Sequence, residues 1–150
     1  MHTKLSATFA FFFATIFTCI MCSSSCDNEI TNPSTAELNS AFKVSLKDKV
    51  LINKDFVVTL DSVKDSRCPE GVQCIWAGFA EAKISISKVS EPSISLNLCL
   101  GQCDKDFKTE DEKEFSLSGV DYLLQLSAIN PYPKVGDTTK RMATLIVKKK

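Results

Sequence analysis

The sequence has almost no histidine: among its 150 residues only His2 is one, and it falls in the N-terminal segment. A domain without imidazole lacks the side chain that ordinarily titrates near neutral pH, which excludes Ser-His-Asp and Cys-His catalysis. His-ligated metal sites are excluded with it. Glycine is scarce too, at five residues, and neither G-x-x-x-x-G-K nor G-x-G-x-x-G occurs, so no phosphate-cradling loop is present. Neither sign of charge is in excess, with 18 basic and 18 acidic residues. No net field draws the chain to nucleic acid, and aromatic residues are not interleaved with basic ones. Lys148-Lys149-Lys150 is short and reads as a solvated end. Paired carboxylates could still act without histidine. The acids, however, cluster in the exposed, mutually repelling segment from Asp104 to Glu114. The chain is therefore read as a non-enzyme that holds no cofactor and no metal.

Cysteine, by contrast, is plentiful, with seven residues. Cys19, Cys22 and Cys26 crowd the end of an N-terminal apolar run, Leu5 to Met21, which follows a weakly positive start at His2 and Lys4. Polar residues come next. This is the three-part order of a secretory signal. The run is marginal for crossing about 30 Å of hydrocarbon, and no basic stop signal follows it. Cys26 stands directly after Ser24-Ser25, the small-residue context in which a lipoprotein cysteine is acylated, whereas Cys22 follows Met21 and Cys19 follows Thr18. The expected layout is a signal peptide over residues 1–25, lipidated Cys26, a flexible tether to Ser40, and one domain over residues 41–150. Removing the signal leaves about 125 residues, enough for a single core. Stable attachment needs more than one acyl chain, and the expected location is the outer membrane or cell surface, facing out or towards the periplasm.

Period-two alternation begins at Ala41 and recurs through the domain. Phe42, Val44 and Leu46 form one such set, Phe56, Val58 and Leu60 a second, and Ala80, Ala82, Ile84 and Ile86 a third. Ile94, Leu96, Leu98 and Leu100 form another, with Ser90-Glu91-Pro92 as the turn of a hairpin between the last two. Glu114 to Leu117, Tyr122 to Ala128 and Thr139 to Val147 complete the strands, while Asp104 to Glu114 reads as a charged loop or a polar turn of helix. No helical period is sustained. The expectation is an all-β fold of about six or seven strands. A small OB-like β-barrel is favoured over a β-sandwich because no long-spaced cysteine pair brackets the single Trp.

The four domain cysteines, Cys68, Cys74, Cys99 and Cys103, are expected to form disulfides in an oxidising compartment. Their C-x5-C and C-x3-C spacings do not match zinc knuckles. Local pairing (Cys68–Cys74, Cys99–Cys103) and nested pairing (Cys68–Cys103, Cys74–Cys99) both remain open, and the reading leans to cross-links between the two segments. In Asp65-Ser66-Arg67-Cys68-Pro69-Glu70-Gly71-Val72-Gln73-Cys74-Ile75-Trp76-Ala77-Gly78, proline fixes one φ and Gly71 supplies a turn conformation. Trp76 is expected to pack beneath the turn as its anchor. The result is a stiff rim loop, which loses little entropy on association and so suits binding.

This Asp65–Gly78 segment, together with the lipoprotein signal, resembles small Bacteroidota lipoproteins of the potempin type, and Asp27-Asn28-Glu29 resembles their surface-export tag. The resemblance implies a lipid-anchored inhibitor of a secreted zinc metalloprotease, acting as a monomer by loop insertion. It also implies that Ser66, Arg67, Cys68, Pro69, Glu70, Gly71 and Trp76 contact the protease, with a backbone carbonyl or the Glu70 carboxylate facing its zinc. The tissue inhibitors of metalloproteinases use a free N-terminal cysteine amine there, whereas Cys68 is internal. Gly101-Gln102 and Pro131-Tyr132-Pro133 are candidate additional rim elements. The other reading is a non-catalytic structural or adhesive envelope lipoprotein.

Overall fold

The computed structural model describes residues 33–150. The signal segment, Cys26 and the tether as far as Asn32 lie outside the described residues. Residues 33–150 belong to one compact unit, which carries the hydrophobic core of the described residues and both of their disulfides.

The described residues form ten strands and no helix: β1 (Ser34–Ala36), β2 (Ala41–Ser45), β3 (Lys49–Ile52), β4 (Phe56–Asp65), β5 (Phe79–Ser87), β6 (Ile94–Cys103), β7 (Asp106–Lys108), β8 (Asp111–Leu117), β9 (Val120–Asn130) and β10 (Met142–Lys149). They lie in a six-stranded sheet, ordered β1-β3-β4-β5-β6-β7, and a four-stranded sheet, ordered β2-β10-β9-β8. The all-β class and the disulfide staples agree with the sequence reading. Both sheets are open, so the arrangement corresponds to the sandwich alternative and not to a closed barrel.

Closure fails for a local reason at each side. β7 and β8 follow one another but end different sheets, and a side chain spans the gap: buried Asp111 accepts a hydrogen bond from the Cys99 backbone N–H at 3.0 Å and from Lys108 Nζ at 2.8 Å. On the other side one bridge, Leu46 to Leu60, links β2 to β4. Three strands, β1, β3 and β7, escaped the sequence reading. β1 lies in the segment read as tether and pairs in parallel with β3. β7 and the first residues of β8 lie in the acidic segment read as a loop. Three- and four-residue strands do not provide enough alternation to show a period.

The core is built from the alternating positions of both sheets. Phe56, Val58 and Leu60 from β4 meet Leu124, Leu126 and Leu145 from the facing sheet, all fully or almost fully buried. At one end Phe56, Phe115 and Tyr122 pack together, with ring centroids 5.3–6.1 Å apart in edge-on and stacked contacts.

Two bulges reverse the alternation towards the other end. The β4–β5 register shifts between Leu60 and Ser62, so that Val63 and Asp65 turn to the face that Leu60 occupied. The β9–β10 register shifts between Thr144 and Leu145, and Ile129 takes the inward position that continued alternation would have given to Ala128. One extra residue moves every following side chain to the opposite face. The two bulges thus aim Asp65 and the Ile129 segment at a common point near the ends of both sheets.

Phe56→Ala should remove about 3–5 kcal/mol of stability, because the aromatic cluster cannot collapse into the space left behind. Urea unfolding followed by far-UV circular dichroism measures it, and a loss below about 1 kcal/mol would contradict the packing described.

Candidate functional site

The segment between β4 and β5, Ser66 to Gly78, leaves the sheet end as a loop. Its two arms stay paired at the base: Ser66 N–H donates to Phe79 O and Cys68 N–H to Ala77 O, both at 2.8 Å. Cys68 and Cys74 are bonded, with Cα atoms 5.9 Å apart. Farther out, Glu70 N–H donates to Pro133 O at 2.9 Å, and Val72 N–H donates to Pro69 O at 3.3 Å to close a turn at Gly71, whose φ is 78°. The Pro131–Pro133 connection, read as a possible rim element, therefore buttresses the loop.

Gly78 fixes where the loop leaves the sheet. Its φ is 71°, and a Cβ there would lie 2.0 Å from Ser66 O, so only glycine allows the two arms to approach. The Gly78 carbonyl accepts a hydrogen bond from Gln102 N–H at 2.8 Å, which brings Gly101-Gln102 beside the loop base.

That proximity does not come from crossed disulfides. Cys99 bonds Cys103 and Cys68 bonds Cys74, so the pairing is local and the expected cross-links are absent. The register explains it. Cys99 lies opposite Glu81 inside the β5–β6 ladder, while Cys74 belongs to the loop before Phe79, out of line with it. A regular strand would hold residues four apart at roughly 13 Å. Gly101, at φ 94°, folds β6 so that the Cys99 and Cys103 Cα atoms come to 6.1 Å.

Beneath the loop lies an ion network that the sequence reading did not identify. Asp65 receives the Arg67 guanidinium in a two-point contact, Nε to Oδ1 and Nη2 to Oδ2, each at 2.8 Å. Arg67 Nη2 also donates to Ile129 O on the facing sheet at 3.0 Å. Arg141 Nε donates to Asp65 Oδ2 at 2.8 Å, and its Nη1 reaches Asp137 Oδ2 at 2.9 Å and Thr139 O at 2.8 Å. The Tyr132 ring covers the Arg67 guanidinium at 4.5 Å. Burial acts to raise the Asp65 carboxyl, but hydrogen bonds from Arg67 and Arg141 outweigh it and hold it below the ordinary value. Asp137 is held down to about 2, chiefly by its hydrogen bonds with Thr139 and further by Arg141.

Two of the expected contact residues are consequently placed otherwise. The Arg67 side chain is turned into the network, only 10% exposed, with its Nε and Nη2 committed to Asp65 and Ile129. Trp76, expected beneath the turn, is instead 61% exposed. Ser66 Oγ donates to Phe79 O at the loop base, and Cys68 and Pro69 are half-buried. Glu70 and Gly71 face solvent, with Glu70 in an exposed pair with Lys134 at 3.5 Å, a geometry that contributes little. Val72 and Ile75 join Trp76 on the outer surface, and Ile75 touches nothing in its own chain. Adjacent bulky apolar residues directly after a disulfide cysteine were the available signal, since neighbours in an extended segment cannot both point inward.

Among the described residues no group of three or more His, Cys, Asp or Glu side chains is placed to hold a metal ion. No family model, no curated protein and no solved structure matches the chain.

Gly78→Ala should cost about 3 kcal/mol through backbone collision and left-handed strain, measured by thermal unfolding; an unchanged midpoint would contradict the close approach of the arms. Acid provides a second check. The depressed carboxyls Asp65 and Asp137 contribute stability that is complete above the ordinary carboxylate value near 3.9 and lost as pH falls through their folded values. Stability should therefore fall between about pH 4 and pH 2, and Asp65→Asn should flatten that fall in acid titrations of unfolding.

Proposed function

We propose that the chain is a lipid-anchored inhibitor of a secreted metalloprotease and that the Ser66–Gly78 loop blocks the protease's active-site cleft. The observation that carries this reading is the placement of the loop. It projects from the end of the sandwich while its backbone is fixed at both arms, by the Cys68–Cys74 bond and by the Cys68–Ala77 and Glu70–Pro133 hydrogen bonds. A segment already held in one shape loses little conformational freedom on docking, so its contacts convert into affinity. A disulfide-closed turn also resists release if it is cut. The likeness of the Asp65–Gly78 motif to the potempin lipoproteins supports the same function. The protease's own zinc would meet either the Glu70 carboxylate, which is more than half exposed, or a loop carbonyl; the inhibitor contributes no metal. Attachment through Cys26 would hold the domain at the outer membrane or cell surface, where secreted proteases pass.

The domain from Asn32 onward, assayed at micromolar concentration against thermolysin-class and matrixin-class zinc endopeptidases, should inhibit at least one of them competitively. Replacing both Cys68 and Cys74 with Ser should weaken inhibition at least about tenfold and expose the loop to cleavage, since removing such a small-loop bridge frees roughly 2 kcal/mol of chain entropy. Absence of inhibition across both classes would remove the proposal.

A further inference from the structure

We infer that Ile75 and Trp76 are the specificity-determining residues of the loop, and that the partner offers a cleft with an apolar pocket. The inference rests on the inhibitor reading and adds to it the part of the loop that the partner grips and the chemistry that it reads.

The two sides of the loop differ in what they have left to offer. On the first side, Arg67 is committed to Asp65 and Ile129, Cys68 and Pro69 are half-buried, and Glu70 N–H is committed to Pro133. On the second side, every residue from Val72 to Ala77 is exposed. No intramolecular hydrogen bond among the described residues engages the backbone N–H of Gln73, Cys74, Ile75 or Trp76. An exposed backbone with free donors can hydrogen-bond the main chain of a partner, which gives affinity, while side-chain pockets give selectivity.

The side chains there are uniform in character. Gly71 to Gly78 contains no Asp, Glu, Lys or Arg. Ile75 is fully exposed, and Trp76 is 61% exposed. Isolated exposed apolar residues are ordinary. Here, though, two large ones are adjacent on the returning arm of the loop, and each is flanked by a fixed point: the Cys74 disulfide immediately before Ile75 and the Ala77–Cys68 hydrogen bond immediately after Trp76. Little freedom is lost when they are buried. Rigid aromatic and aliphatic anchors at the centre of a contact carry most of the binding energy. A pocket that takes Ile75 is apolar, and a partner that reads charge finds nothing to read on this side of the loop.

The test compares the Asn32-onward domain with its Ile75→Ser and Trp76→Ala forms against a zinc endopeptidase of the panel that the unaltered domain inhibits, using the inhibition constant as the readout. Both side chains lie outside the core, so thermal unfolding should stay unchanged and confirms that the fold is retained. Each substitution should weaken inhibition at least about tenfold, the loss expected from removing a buried apolar anchor. If both variants inhibit within threefold of the unaltered domain, the inference fails while the inhibitor reading stands. If the unaltered domain inhibits no enzyme of the panel, the inhibitor reading fails and this inference fails with it. A blue shift of Trp76 fluorescence on phosphatidylcholine–phosphatidylglycerol vesicles, abolished by Ile75→Ser, would reassign these two side chains to a lipid surface and overturn the inference.

Discussion

Asp65 accepts hydrogen bonds from two guanidinium groups, both of which reach its Oδ2, and the loop end of the sandwich is organised around it. Arg67 belongs to the loop itself and Arg141 to the segment leading into β10. Arg67 also reaches the Ile129 carbonyl on the facing sheet. One carboxylate thus joins the loop, the strand that carries it and the opposite sheet. The side chains of all three ions are no more than 13% exposed, so water competes weakly and removal of the carboxylate would leave two positive charges with poor solvation. Arg67 and the Tyr132 ring that covers it lie on the underside of the loop, and Trp76 faces away from them into solvent.

Much of the sandwich could be read from the sequence, because long strands reveal their period. β4, β5, β6 and β9 follow apolar sets that alternate without help from any other element, and the Ser90-Glu91-Pro92 turn pairs β5 with β6 as expected. What could not be read is what depends on distant parts of the chain. The gap between the sheets is closed by the Asp111 side chain and not by a ladder, so the same alternating strands leave an open sandwich in place of a barrel. The disulfide pairing depends on a fold at Gly101 that no period reveals. The bulge in β4 does leave a trace, since Leu60 and Val63 are three apart where alternation requires two or four. That slip is what turns Asp65 inward.

The candidate site was located from residue types but was misjudged in its orientation. A proline, a glycine and two cysteines within a few residues were enough to identify a stiff loop. Which side chains face out was decided by ions that lie far apart in sequence, Asp65 and Arg141 above all. Arg67, expected to meet a partner, therefore serves as a clamp. Trp76, expected to serve as the anchor, is offered to solvent with Ile75. Rigidity and exposure are thus supplied by different residues, and the outer ones need not contribute to folding.

The central claim is that the returning arm of the loop is both exposed and immobile, and Trp76, the only tryptophan, reports on both properties. Time-resolved fluorescence of the oxidised domain should show emission like that of indole in water, efficient acrylamide quenching, and anisotropy that decays at the tumbling rate of the whole domain. Blue-shifted, unquenched emission would show Trp76 packed inward, and a fast anisotropy decay would show a mobile loop; either result would contradict the account.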